Sequence, residues 1–470
     1  MEKIKMNRIL LSVMLGEVSM ALVTDGILQE YVLERSNEQR IVGNIFKGRV
    51  KNLLTGIQAA FIDIGHSRNV FFYNGDKLDL SEGQSIIVQI VKDAMGSKGP
   101  RAITRPALAG RYVVFLPGAN YLGVSKNITD SAERARLRAI ADAERPKKTG
   151  VIVRTVAAGR EEEAIKKDIR YLAGLWNSIE ARAQRAKSPA LLHREADLPV
   201  RAVRDYLNDS IDEIVVDDKE TWRIISELVS FSYSDYKGRI VHYQKAEPIY
   251  RHYRLQEAID GLNARRVDLE CGGYLIFDYT EALTVIDVNT GSYKGETSLE
   301  ETAFFTNMQA GAEIARQIRL RDIGGIIVID FIDMNDAENR SRILKNLSGA
   351  LAGDRMKPRV LGITALGLVE MTRKKSRQNT ATALFAECPA CGGSGYVKSP
   401  ETVAVAIRRK LAETTGAQSL LLLAHPSVAE WFANCELGRL PRGVKLKVQA
   451  VETMHPETFT ILSLNEGSAK

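Results

Sequence analysis

The chain has 470 residues, too many for one hydrophobic core and enough for about three to four units at roughly 100–200 residues each. Hydrophobic residues at 45% and charged residues at 26% are ordinary globular usage, which excludes wholesale disorder. The net charge of +7 is uneven: Glu133 to Arg204 carries 17 basic against 10 acidic residues, and Glu338 to Arg377 carries 10 against 3. Such regions suit a polyanionic partner, although solvated helix faces would give the same counts.

From the N-terminus, Arg8–Val13 and Ser19–Val23 read as a hairpin, with Asp25-Gly26 as turn punctuation. The start lacks the apolar core of a signal peptide, and no later run approaches about 18 apolar residues, so a cytosolic protein is expected. Between Ile41 and Pro117, five short segments predict a small barrel: GNIFKGRV, QAAFIDIG, NVFFYNG, SIIVQIVKDA and YVVFLPG. Asp130 to Ala143 and Arg160 to Ala186 read as helices, with GVIVRT as a strand between them; EIVVDD from Glu213 is a further strand. GGYLIFDY and ALTVIDVN predict two strands, followed by a helix opened by a Ser298-x-x-Glu301 capping box. Its buried stripe is predicted at Phe304, Met308, Ala312, Ala315 and Ile318, with Arg316, Arg319 and Arg321 near the opposite side. Gly324-Gly325 is expected to end that helix, and IIVIDFID to follow as a buried strand, giving an α/β layer. A short αβ unit spans Thr402 to Leu464.

Asp287 and Asp330 each interrupt an apolar strand near its C-terminal end, where an uncompensated buried carboxylate costs several kcal/mol. Residues two apart on a strand share a face, so Asp287 and Asn289 project together. One crossover helix can bring the strand of Asp330 alongside. Two carboxylates and an amide make a hard-oxygen site suited to Mg²⁺. The alternative is strand-end capping, or ion pairs with Arg319 or Arg321.

Of four cysteines, Cys388-Pro-Ala-Cys391 precedes Gly392-Gly393-Ser394-Gly395, the pattern of a zinc knuckle. Closed coordination needs two more ligands, either Cys271 and Cys435 or the same knuckle of a second subunit; a thioredoxin-like redox pair competes. In the barrel region, Phe61 and Phe71 lie among Lys47, Arg49 and Lys51, an arrangement that stacks bases beside a basic rim. Core packing of either Phe is the alternative. Arg154-Thr155 offers a guanidinium fork and a hydroxyl for a terminal phosphate. Hydrolase-triad and Walker-type patterns do not occur.

Taken in order, GNIFKGRV, AAFIDIG, GVIVRT, VRAVRDYL, TEALTVIDVN, EIARQIRLRDIGGIIVIDFIDM, GLVEMTRKK and CPACGGSG resemble the ribonuclease E/G family over nearly the whole chain. The resemblance is closer to the G-type members, which lack a long scaffold arm. It implies a multidomain α/β fold: an RNase H-like domain (1–38 and 205–264) interrupted by an OB-type RNA-binding domain (39–118) and a 5′-phosphate sensor (119–204). A DNase I-like catalytic domain (265–384), a zinc link (385–398) and a small dimerisation domain (399–470) follow. It further implies that Asp287 and Asp330 bind Mg²⁺ with Asn289 orienting Asp287, and that Arg154 and Thr155 sense a 5′-monophosphate. Phe61, Phe71, Lys47 and Arg49 would contact RNA, and Cys388 and Cys391 would share one Zn²⁺ between two subunits. Asn69-Val70 and Thr290 to Glu296 depart from the family pattern.

The expectation is therefore a Mg²⁺-dependent endoribonuclease acting on single-stranded RNA, including rRNA precursors and mRNA. It would leave 5′-phosphate and 3′-hydroxyl ends, prefer 5′-monophosphorylated substrates, and form a homodimer or homotetramer. A non-catalytic RNA-binding or ribosome-assembly protein of the same architecture is the alternative, and a DNA-cutting nuclease is a third reading.

Overall fold

The computed structural model describes residues 6–35, 40–73, 79–94, 98–292, 298–374, 380–413, 419–434 and 445–464. The chain forms two compact units, Met1–Leu384 and Phe385–Lys470.

The first unit opens with a meander, β1 (Asn7–Met14), β2 (Glu17–Thr24) and β3 (Ile27–Arg35). Leu15-Gly16 and Asp25-Gly26 have positive φ at both positions, which matches the twist of tightly linked strands. The sequence reading of one hairpin missed β3, whose Gln29, Glu30 and Glu34 blur its apolar alternation.

Five strands then close into a barrel: β4 (Ile45–Leu54), β5 (Ala59–Asp63), β6 (Val70–Tyr73), β7 (Ser85–Lys92) and β8 (Arg101–Ile103). The order is β4-β5-β6-β8-β7, with β7 returning to β4. Phe46, Val50, Ala60, Ile62, Val70, Phe72 and Val88 fill it. The predicted fifth strand, within YVVFLPG, belongs elsewhere: β9 (Leu108–Ala109), β10 (Val113–Leu116), β11 (Leu122–Val124) and β12 (Gly150–Val153) form a separate sheet ordered β11-β12-β10-β9. Val113 and Phe115 bury against α1 (Ser131–Glu144) and α2 (Glu162–Arg185), so their alternation serves a second core. The true fifth strand, β8, has three residues, too few to show a period.

β13 (Ala190–His193) returns to β4, and α3 (Leu198–Tyr206) leads into β14 (Glu213–Val216), α4 (Lys219–Ser232) and β15 (Ile240–His242). These strands complete a sheet ordered β15-β14-β1-β2-β3, lined by the short helices α5 (Ile249–His252) and α6 (Gln256–Asp260).

The third large sheet comprises β16 (Arg266–Asp268), β17 (Tyr274–Tyr279), β18 (Leu283–Asn289), β19 (Gly325–Asp330), β20 (Arg359–Ile363) and β21 (Val369–Arg373), ordered β16-β17-β18-β19-β21-β20. Helices α7 (Leu299–Leu320) and α8 (Ala337–Leu351) contribute Ile314, Ile318, Ile343 and Leu347 to its core, opposite Leu275, Phe277, Ile286, Ile327 and Ile329. Ser298 caps α7 by accepting from the backbone N–H of Glu301 at 3.1 Å. The buried stripe differs from the predicted one. Ala303, Ala310, Ile314 and Ala315 are buried, Phe304 and Met308 are half-buried, and Ala312 is exposed. Arg321, expected on the outer side, is buried, with its Nε donating to Gln317 at 2.7 Å. The helix also packs against β3 and α8, so more than one face is covered. Nor do Gly324-Gly325 end it. The left-handed residue is Asp322 (φ 49°), whose carboxylate accepts from Arg373 at 2.7 Å, while Arg373 also bonds Asp354 at 2.7 Å. Gly325 instead opens β19. Short α9 (Thr380–Leu384) follows.

In the second unit, α10 (Pro400–Glu413), β22 (Ser419–Ala424), α11 (Pro426–Asn434), β23 (Lys445–Ala450) and β24 (Phe459–Ser463) form a three-stranded αβ layer ordered β23-β22-β24. Among the described residues no helix is long and apolar enough to cross a membrane.

Candidate functional site: an acidic pair on an open sheet face

Alternation on β18 buries Thr284, Ile286 and Val288 and turns Val285, Asp287 and Asn289 to the other face. On β19 the same rule buries Ile327 and Ile329 and leaves Asp330 exposed. The two strands run parallel with Asp287 directly opposite Asp330, so both carboxylates leave the sheet on the face that α7 and α8 do not cover. The expected burial of the aspartates is corrected accordingly: Asp287 is half-buried and Asp330 exposed.

The Asn289 amide donates to Asp287 Oδ2 at 2.8 Å, fixing that carboxylate. Desolvation pushes the Asp330 carboxyl above its usual range, helped by the negative charges of Asp287 and Asp333. Ion pairing with Arg319 or Arg321 is excluded. Arg319 donates to the Ala350 carbonyl at 2.9 Å, and Arg321 to Gln317 and the Ala264 carbonyl. Neither aspartate has a cationic side-chain partner among the described residues. Two carboxylates held side by side with no cationic side-chain partner among the described residues fit a divalent cation, which Asp287 and Asp330 would hold. Among the described residues, no three His, Cys, Asp or Glu side chains converge on one point, so the protein would supply a sparse ligand set.

Two supports escaped the sequence reading. Fully buried Asn307 of α7 donates to the Ile332 carbonyl at 2.8 Å and accepts from its N–H at 3.1 Å, which pins the chain just beyond Asp330. At the end of β18, Gly291 has φ of 57°, and a Cβ there would come 2.3 Å from the Gly272 carbonyl oxygen, so the turn after Asn289 needs glycine. Part of the departing stretch, residues 293–297, lies outside the described residues.

On the barrel, Phe61 and Phe71 are cross-strand partners with ring centroids 5.9 Å apart, edge to face. Both lie outside the barrel core and are half-buried on its wall. Exposed Arg101 is the parallel partner of Phe71 and extends this row; β8 was too short to flag it. Lys47 and Arg49 do not line the row. Lys47 donates to the Ala183 and Ala186 carbonyls at the end of α2, and Arg49 to the Ser188 carbonyl at 3.0 Å. Lys51 pairs with Asp63 at 3.5 Å.

The Arg154 fork is engaged, with one arm on the Gly110 carbonyl at 2.6 Å and the other on Asp205 at 2.9 Å. Burial works to raise the Asp205 carboxyl, but Arg204 and Arg154 outweigh it and hold it low. The Thr155 hydroxyl lies 2.8 Å from that of Ser125. Asp205 is 51 residues away in sequence, so no local pattern could have shown this partner.

Cys388 is exposed and Cys391 half-buried. The Gly392 N–H donates to the Cys388 carbonyl at 2.8 Å, and the Gly395 N–H points at Cys391 Sγ from 3.3 Å, lowering that thiol's pKa. Amides aimed at sulfur suit a metal-bound thiolate. Cys271 packs against the core of the third sheet, and Cys435 lies outside the described residues.

The sequence profile described as the ribonuclease E/G family matches residues 107–376. Ribonuclease G of Escherichia coli (strain K12) is 38% identical, with 97% of this chain and 99% of that protein covered. Ribonuclease G of Haemophilus influenzae is 37% identical over the same shares. Ribonuclease E of Nostoc sp. is 39% identical over 80% of this chain and 57% of its own length. Matched over 97% of its length by the ribonuclease G relatives, and over more than half its length by the profile, the chain belongs to the ribonuclease E/G family.

Proposed function

We propose that the protein is an endoribonuclease of RNA processing and decay that cuts single-stranded RNA at the acidic pair, leaving 5′-phosphate and 3′-hydroxyl ends. The observation that carries this reading is the parallel register of Asp287 with Asp330 on an open sheet face, with Asn289 bonded to Asp287. Mg²⁺ bound there would supply an activated water and stabilise charge developing on the phosphodiester. Asn289 holds one carboxylate, and Asn307 holds the segment that follows the other. Phe61 and Phe71 offer ring surfaces to unpaired bases, with Arg101 as the adjacent cation.

The same reading makes Arg154 and Thr155 the 5′-monophosphate sensor, with the phosphate competing against Asp205 for the guanidinium. The order of domains implied by the family, from RNase H-like through OB-type and sensor to DNase I-like, belongs to this proposal. So does a Zn²⁺ shared by Cys388 and Cys391 of two subunits.

The test is cleavage of one oligonucleotide carrying a 5′-monophosphate, a 5′-triphosphate or deoxyribose throughout, with and without Mg²⁺. Mg²⁺-dependent scission of the monophosphorylated RNA, faster than of the triphosphorylated form and absent on DNA, is expected. RNA binding without scission would replace this reading with a non-catalytic RNA-binding role.

A further inference from the structure

A cavity of about 460 Å³ lies away from the acidic pair, between α2 and α4, with the β9–β10 turn among its walls. That volume is in the range of small-ligand sites. Two large aromatics lining it are unusually exposed, Tyr171 at 67% and Phe231 at 78%. The Lys167 ammonium sits over the Phe231 ring, 4.5 Å from its centroid, and Lys167 and Tyr171 are one helical turn apart on α2. Arg194 lines the same space and is exposed.

Deeper in, Arg111 is only 2% exposed, and its guanidinium lies over the rings of Tyr233 and Tyr236 at 4.6 and 5.2 Å. One arm reaches the Val203 carbonyl at 3.4 Å, while its buried Nε has no hydrogen-bond partner among the described residues. The cavity's own carboxylates are already engaged. Asp168 accepts from the backbone N–H groups of Tyr112 and Val113, and Glu195 pairs with Arg204. Exposed aromatic rings with cations beside them match a flat heterocycle joined to a phosphate.

We infer that this cavity binds an unpaired nucleotide of an RNA strand. Tyr171 and Phe231 stack the base, and Lys167 and Arg194 meet the phosphate. It is a second RNA subsite, separate from the Phe61–Phe71 row, and it rests on the reading of the chain as an RNA-cleaving enzyme.

The test uses the full chain without added divalent metal and a fluorescent 5′-hydroxyl RNA 12-mer, which keeps a terminal phosphate out of the comparison. Fluorescence anisotropy should show Tyr171→Ala and Phe231→Ala each weakening binding about tenfold, with Phe231→Tyr restoring most of it. Lys167→Ala should reduce the salt dependence by about one charge. Both aromatics are exposed, so melting temperatures should not move. On the unaltered chain, 4-thiouridine photocrosslinks should map to peptides containing Tyr171 or Phe231. Affinity within twofold of wild type in the double alanine variant, or crosslinks confined to the barrel, overturns the inference and leaves the cavity to a protein segment or to nothing. A wild-type chain that neither binds nor cuts RNA defeats the enzymatic reading, whereas one that does both while the aromatic variants are unaffected defeats this subsite alone.

Discussion

Asp287→Asn separates a metal-binding pair from a merely structural one, because the two roles predict opposite signs. Registered side chains on neighbouring parallel strands sit about 5 Å apart. At that distance two unit charges repel by about 1 kcal/mol in water and about 3 kcal/mol at an effective dielectric of 20. Asp330 is exposed, so the lower figure applies. Replacing Asp287 by its isosteric amide removes that repulsion and keeps a partner for Asn289. The metal-free variant should therefore be as stable as wild type or more so, by about 1 kcal/mol, while cleavage is abolished and RNA affinity is retained. Metal linkage gives a second sign. Mg²⁺ at ten times its dissociation constant should stabilise the wild type by about 1.4 kcal/mol and the variant hardly at all. Thermal melts of both proteins across a Mg²⁺ series, beside a gel-based cleavage assay, measure all of this. A variant that melts well below wild type, gains as much from Mg²⁺, or still cuts RNA would refute the assignment.

Other outcomes follow from the same geometry. Asn307→Ala strands the N–H and carbonyl of half-buried Ile332, so urea unfolding should show a loss of about 1–3 kcal/mol. Glu133 is held at a pKa of about 2 by Arg136 and then by the Gly159 N–H, below its ordinary 4.5. Its contribution to stability is complete above pH 4.5 and fades as the pH falls toward 2; Glu133→Gln should flatten that acid limb, with a cost near neutrality of about 0.5–1 kcal/mol for this surface pair. Stripping zinc with a strong chelator should convert dimers to monomers by light scattering, and an unchanged mass after verified zinc loss would refute a shared knuckle.

How much of this was legible depended on whether the signal was periodic or long-range. The strands carrying Asp287 and Asp330 were readable because Leu283–Asn289 and Gly325–Asp330 are apolar runs broken at one position. Their depth was misjudged because a run apolar on both faces reads as fully buried, whereas helices cover only one face here. The Ser298 cap was a local pattern and lay where expected. What escaped notice was fixed by partners far along the chain. Lys47 looks like a free cation beside the barrel aromatics, yet it closes the end of a helix 136 residues later. The Arg154 fork looks available for a phosphate until Asp205 arrives through α3. The sequence marks such side chains as able to bind an anion, and the tertiary fold decides whether that anion is a substrate or another part of the protein. In the proposed sensor, a 5′-phosphate would have to take Arg154 from a carboxylate that two guanidinium groups already hold.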